Sequence, residues 1–106
     1  MVQITANQFY DQMKLMDQPV VLKFSADWCS GCRQIAPVAE AVSEEYSDSV
    51  KFYEVNVDQE PELAEQFGVM SLPTFIAFKD GEETGREVAP SASEDTLKAF
   101  IKNFTK

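Results

Sequence analysis

Residues 20–36, Val20-Val21-Leu22-Lys23-Phe24-Ser25-Ala26-Asp27-Trp28-Cys29-Ser30-Gly31-Cys32-Arg33-Gln34-Ile35-Ala36, decide how this chain folds. They contain both cysteines and the only tryptophan in the sequence. Residues 20 to 24 form a nearly continuous apolar run, the pattern of a strand buried on both faces of a mixed or parallel sheet. From Arg33 onward the residues suit a helix. A C-x-x-C between a strand and a helix is a redox signature in an intracellular chain, and the spacing has a physical basis. At a helix N-terminus, backbone N–H groups and the helix dipole stabilise a Cys29 thiolate. Cys32, one turn inside, is close enough to close a short disulfide ring.

Working outward, helix and strand signals alternate. Upstream, Thr5 caps a first helix with Gln8 completing a capping box, and Phe9, Met13 and Met16 recur at roughly helical spacing. Pro19 ends the connection. Downstream, the second helix runs from near Cys29 to Tyr46, with Ile35, Val38, Ala39, Val42 and Tyr46 on its inner face and a kink expected at Pro37. After a Ser47-Asp48-Ser49 loop comes a strand from Val50 to Val57. Asp58 caps a short helix that has Pro61 in its first turn and ends before Gly68. Residues 74 to 78 read as a strand, Asp80-Gly81 as a hairpin turn, and Thr84 to Val88 as the returning edge strand. Ser91 and Glu94 make a capping box for a last helix with apolar positions Leu97, Phe100, Ile101 and Phe104. No repeat, linker or low-complexity segment interrupts this order, so residues 1–106 are expected to form one domain.

Charge excludes several classes of function. A formal net charge of -9 without a single histidine offers no basic footprint for nucleic acid and no attraction to anionic membranes. Such a surface reads as soluble and self-repelling. Met1-Val2-Gln3-Ile4-Thr5 lacks the basic and apolar regions of a signal peptide. No apolar run approaches the roughly 20 residues of a membrane helix. Two cysteines are too few for a secreted disulfide framework, so a reducing, cytoplasmic setting is expected.

The stretch from Phe24 to Cys32 resembles the active site of the thioredoxin family. So do Ile35-Ala36-Pro37, Val55-Asn56-Val57-Asp58 and Gly68-Val69-Met70-Ser71-Leu72-Pro73-Thr74-Phe75, and the similarity spans essentially the whole chain in order. The resemblance implies an α/β thioredoxin fold, a central mixed sheet of four to five strands flanked by four helices. It implies a thiol–disulfide oxidoreductase that reduces protein disulfides as an electron carrier. Cys29 would be the attacking nucleophile and Cys32 the buried resolving thiol. It further implies that Pro73 is a cis proline facing the dithiol. That bond would expose the backbone of Leu72 to an extended substrate segment, a short form of strand addition. Trp28, Ser30, Gly31, Ser71, Leu72, Pro73 and Ala89 would form the docking surface. Expected partners are disulfide-containing proteins and a flavin-dependent thioredoxin reductase using NADPH. The chain would act as a monomer, with no bound cofactor or metal beyond the redox-active disulfide Cys29–Cys32.

Departures from the family pattern carry their own expectations. Ser30-Gly31 stands where Gly-Pro is common, restoring an N–H at Gly31 that can donate to the Cys29 thiolate. Stabilising the reduced form raises the potential, so a dithiol somewhat less reducing than ordinary thioredoxin is expected. Lys23 falls where the family has a buried aspartate, and Glu54 where it has a buried lysine. The charges are exchanged, and a Lys23–Glu54 pair offsets much of the cost of burying them. The exchange either conserves a structural pair or serves catalysis, Lys23 favouring the Cys32 thiolate and Glu54 moving protons. Ser25 replaces an aromatic residue before the motif, Ala89 a glycine, and Met70-Ser71 a basic residue and a glycine. Two other functions fit the residues less well. A dimer sharing an iron–sulfur cluster has only two thiolates per chain and no histidine. A non-catalytic binding module would not need the intact cysteines.

Overall fold

The computed structural model describes residues 1–15 and 17–106; Met16, assigned above to the first helix, lies outside the described residues. Among the described residues five strands and four helices follow in the order β1 (Val2–Gln3), α1 (Ala6–Lys14), β2 (Val20–Ser25), α2 (Ser30–Glu45), β3 (Lys51–Asn56), α3 (Pro61–Gln66), β4 (Thr74–Lys79), β5 (Glu82–Val88) and α4 (Glu94–Phe104). The sheet order is β1-β3-β2-β4-β5. β1 and β2 run parallel to β3, whereas β4 is antiparallel to β2 and β5 to β4. The sheet is therefore mixed, and β2 is its central strand.

Alternation along β2 and β4 sorts the core into two layers. Val20, Leu22, Phe24, Ile76 and Phe78 face one side, where they pack with Phe9 of α1 and Leu63 of α3. Val21, Phe75 and Ala77 face the other, against Ile35, Ala39 and Val42 of α2 and Leu97, Phe100 and Ile101 of α4. Cover on both faces leaves all six residues of β2 buried, which accounts for its apolar run. By the same parity Lys23 lies on the α2 side, as does Glu54, which is in register with it on β3. On the opposite face Phe67 meets Phe9, Phe24 and Phe78 edge-on at 5.3–6.3 Å.

Several local signals act as read. Thr5 and Gln8 form a reciprocal capping box. The Asp80-Gly81 turn has φ of +54° and +82°, the two positive angles of a tight hairpin. Gly68, at φ +64°, follows α3 in the left-handed conformation common past helix ends. α2, expected from near Cys29 to Tyr46, spans Ser30–Glu45 with Pro37 inside it.

Other signals act differently. α3 starts on Glu60 rather than on Asp58. The cause is local, because Asn56 Oδ1 accepts the Asp58 and Gln59 N–H groups and inserts a turn before the helix. Glu60 in turn accepts the Ala6 N–H at the start of α1, 2.9 Å away. α4 starts on Ser93, two residues after the cap read at Ser91, because Ser93 accepts the Thr96 N–H at 3.1 Å. That start puts Glu94 and Asp95 in the first turn, where the helix dipole favours anions. No helix among the described residues is long and apolar enough to cross a membrane.

Candidate active site

β2 ends at Ser25, the chain turns through residues 26–29, and α2 begins at Ser30 with Cys29 as its N-cap. A cap residue ordinarily offers an oxygen to the free amides of the first turn. Here Cys29 Sγ takes that place and accepts the Cys32 N–H at 3.1 Å. The amide on the sulfur is thus that of Cys32, one residue past the Gly31 N–H singled out from the sequence. Cys29 and Cys32 are disulfide-bonded, with Cα atoms 5.3 Å apart. They cluster with Ala26, against Val57 and Leu72. Both are largely buried, 7% and 4% exposed, so position rather than exposure distinguishes them. Cys29 caps the start of the helix, and Cys32 lies inside it.

Opposite the dithiol, the Leu72–Pro73 peptide bond is cis and Pro73 is buried. Ser71 carbonyl oxygen accepts the Thr74 hydroxyl at 2.6 Å, and Pro73 carbonyl oxygen accepts the Ala89 N–H at 2.7 Å. Ala89 has φ of +46°, the left-handed region that costs a residue other than glycine about 1–2 kcal/mol. A Cβ on Gly31 would lie 3.5 Å from Pro73 Cδ, so Gly31 borders the proline directly. Trp28 is 66% exposed and donates its indole Nε1–H to Asp58 Oδ2 at 2.9 Å. The structure thus brings Trp28, Gly31, Leu72, Pro73 and Ala89 around the disulfide. Ser30 and Ser71 are exposed at the start of α2 and before Leu72.

Asp58, expected from the sequence to cap a helix, instead holds the Trp28 indole beside the disulfide. The signal was the Asn56-Val57-Asp58 spacing. The Asn56 side chain turns the chain after β3, which carries Val57 onto the cysteine cluster and Asp58 to the tryptophan.

Behind Cys32 lies an open cleft of about 230 Å³, bordered by Lys23, Ser25, Asp27, Arg33, Ala36 and Glu54. Lys23 Nζ is 3.2 Å from Glu54 Oε2. The Lys23 side chain is 4% exposed and that of Glu54 26%, so solvent reaches the pair from the glutamate end. Among the described residues no group of three or more histidine, cysteine or carboxylate residues is placed to hold a metal ion.

Fold and site together define a class: an α/β protein with a dithiol at a helix N-terminus, facing a cis proline. Known proteins make the class specific. The family profile described as Thioredoxin matches residues 1–103. The thioredoxin of Porphyra purpurea is 37% identical over 102 residues, covering 93% of this chain and 95% of that one. That of Rickettsia bellii is 35% identical over 85 residues, covering 80% and 81%. The X-ray structure of Fasciola hepatica thioredoxin superposes with a TM-score of 0.87 at 35% identity, covering 98% of both chains. The chain belongs to the thioredoxin family. Its activity is thiol–disulfide exchange, with reduction of protein disulfides through the Cys29–Cys32 pair.

The exposure difference within the ion pair predicts asymmetric stability effects. Glu54→Met strands a cation whose side chain is only 4% exposed and should cost about 3 kcal/mol, near the lower end for a broken buried pair. Lys23→Met leaves a carboxylate that the cleft can hydrate and should cost clearly less. Urea unfolding of the oxidised proteins measures both, and equal losses would contradict the reading.

Proposed function

We propose that the reduced chain acts as a single-domain, monomeric, cytoplasmic protein-disulfide reductase, with Cys29 as nucleophile and Cys32 as resolving thiol. The observation that carries the assignment is the Cys32 N–H on Cys29 Sγ at the start of α2. It favours negative charge on that sulfur. The Cys29 thiolate attacks one sulfur of a substrate disulfide, forming a mixed disulfide and expelling a substrate thiolate. Cys32 loses its proton and attacks Cys29 Sγ, which expels the second substrate thiolate. Two electrons pass to the substrate, and Cys29–Cys32 is left oxidised. Re-reduction falls to a flavin-dependent thioredoxin reductase drawing on NADPH. The chain itself works without a bound cofactor.

Trp28, Ser30, Gly31, Ser71, Leu72, Pro73 and Ala89 receive an extended substrate segment in this proposal. The cleft that joins Cys32 to Lys23 and Glu54 supports a role for the pair in the second step. Lys23 favours the Cys32 thiolate, and Glu54 carries the proton away through solvent in the cleft. In an insulin-type reduction assay the wild-type chain should turn over and Cys29→Ser should not. Glu54→Gln should form mixed disulfide normally and release it more slowly, with an altered pH profile. Unchanged release across pH would reject the role of Glu54.

The Gly31 N–H, absent from a proline, is a further first-turn donor open to the thiolate of the reduced form. The potential should therefore lie above the roughly −270 mV of ordinary thioredoxin, and Gly31→Pro should lower it. Equilibration with glutathione measures both. A wild-type potential at or below that value, or no shift in Gly31→Pro, would contradict the proposal.

A further inference from the structure

Three of the large apolar side chains left exposed gather at the end of the sheet that bears the disulfide. Trp28, 66% exposed, precedes Cys29 in the chain. Met70, 95% exposed, lies in the loop that leads to the cis proline. Val88, 54% exposed, pairs with Thr74 on the far side of that proline. The charges beside them are mainly negative. Asp27 and Asp58 flank Trp28 and are exposed. From Phe67 to Thr74, the segment that would meet a visiting polypeptide, there is no charged residue. Of the nearby cations, Lys23 is 3% exposed and paired with Glu54, and Arg86, whose Nη1 reaches the Phe67 carbonyl oxygen at 2.8 Å, is paired with Glu83. Arg33 is exposed but turned onto its own loop, its Nη1 donating to the Asp27 carbonyl oxygen at 2.7 Å. The whole chain adds a net charge of -9.

We propose that this surface selects cationic disulfide substrates: extended segments whose cysteine adjoins an apolar residue and is flanked by lysine or arginine. The inference rests on the reductase reading above and adds to it a substrate class. The apolar side chains supply contact area without charge preference. The carboxylates and the net field then discriminate, drawing cationic segments in and repelling anionic ones. Such discrimination acts on encounter and docking, so it is read in kcat/KM and weakens with salt. Met70 is the position where a single positive charge would oppose it most directly, since nothing charged stands near it along the chain.

Two disulfide-closed peptides of the same apolar core, one flanked by lysines and one by glutamates, test the proposal. Their rates with the reduced full chain are divided by their rates with dithiothreitol, a small dithiol with no docking surface, to remove differences in reactivity toward a thiolate as such. At low ionic strength the lysine peptide should show a corrected kcat/KM about tenfold higher, the lower end of electrostatic rate effects. The ratio should fall toward one at about 1 M salt, where the Debye length is near 3 Å. Asp27→Asn and Met70→Lys should each lower it, Met70→Lys more. A ratio of one or less, or one that neither salt nor Met70→Lys changes, overturns the proposal. Neutral hydroxyethyl disulfide separates the two readings. A chain that reduces it but neither peptide refutes the substrate class alone; a chain that reduces none of the three refutes the reductase reading as well.

Discussion

A helix that begins on a sulfur is the constraint around which this molecule is arranged. Cys29 holds the capping position usually given to serine, threonine or aspartate, and the Cys32 amide points at it from 3.1 Å. The two sulfurs are nearly withdrawn from water, 7% and 4% exposed by residue, so solvent does little to stabilise a negative charge there. Backbone dipoles at the helix start must supply most of that stabilisation. For them to do so the helix has to start at one place. β2, buried along its full length, fixes where the chain leaves the sheet, and Val57 and Leu72 close on the cysteines from two neighbouring loops. Asp58 anchors the tryptophan that precedes them.

The second constraint lies one layer below. Strand alternation sends Lys23 and Glu54 to the face covered by α2, where an apolar pair would otherwise be the ordinary choice. The fold tolerates the charges because the parallel register sets them side by side and because the cleft beneath Cys32 keeps the glutamate partly wet. A buried ion pair adds little to stability compared with well-packed hydrophobic residues. In the proposed mechanism its position in the cleft shared with Cys32 gives it a chemical use.

Where physics is local, the sequence was legible. Thr5 with Gln8, Asp80 with Gly81, and Gly68 past α3 each depend on residues within one turn, and each forms as read. β2 was legible because burial on both faces leaves apolar residues along it, apart from one paired lysine and Ser25 at its end. The resemblance covered the sheet, the helices and the cis proline opposite the dithiol. The misreadings came from residues whose partners are remote or ambiguous. Asp58 had two uses, and the Asn56 turn decided between them by carrying it to Trp28. Ser91 and Ser93 both preceded suitable first-turn residues, and Ser93 took the cap through the Thr96 amide. β1 has two residues, too few to show alternation, and exists through its pairing with Tyr53 and Glu54. Of the two carboxylates beside Trp28, Asp27 adjoins it in the chain, and only the fold brings Asp58 there.

Trapping tests the central claim, that the sulfur at the helix start and not its neighbour attacks the substrate. Reduced Cys32→Ser and Cys29→Ser proteins would be mixed with a disulfide-bearing polypeptide, and the covalent adducts identified by mass spectrometry. A stable adduct is expected on Cys29 in Cys32→Ser and little or none on Cys32 in Cys29→Ser. Equal trapping by both proteins, or trapping only on Cys32, would contradict it.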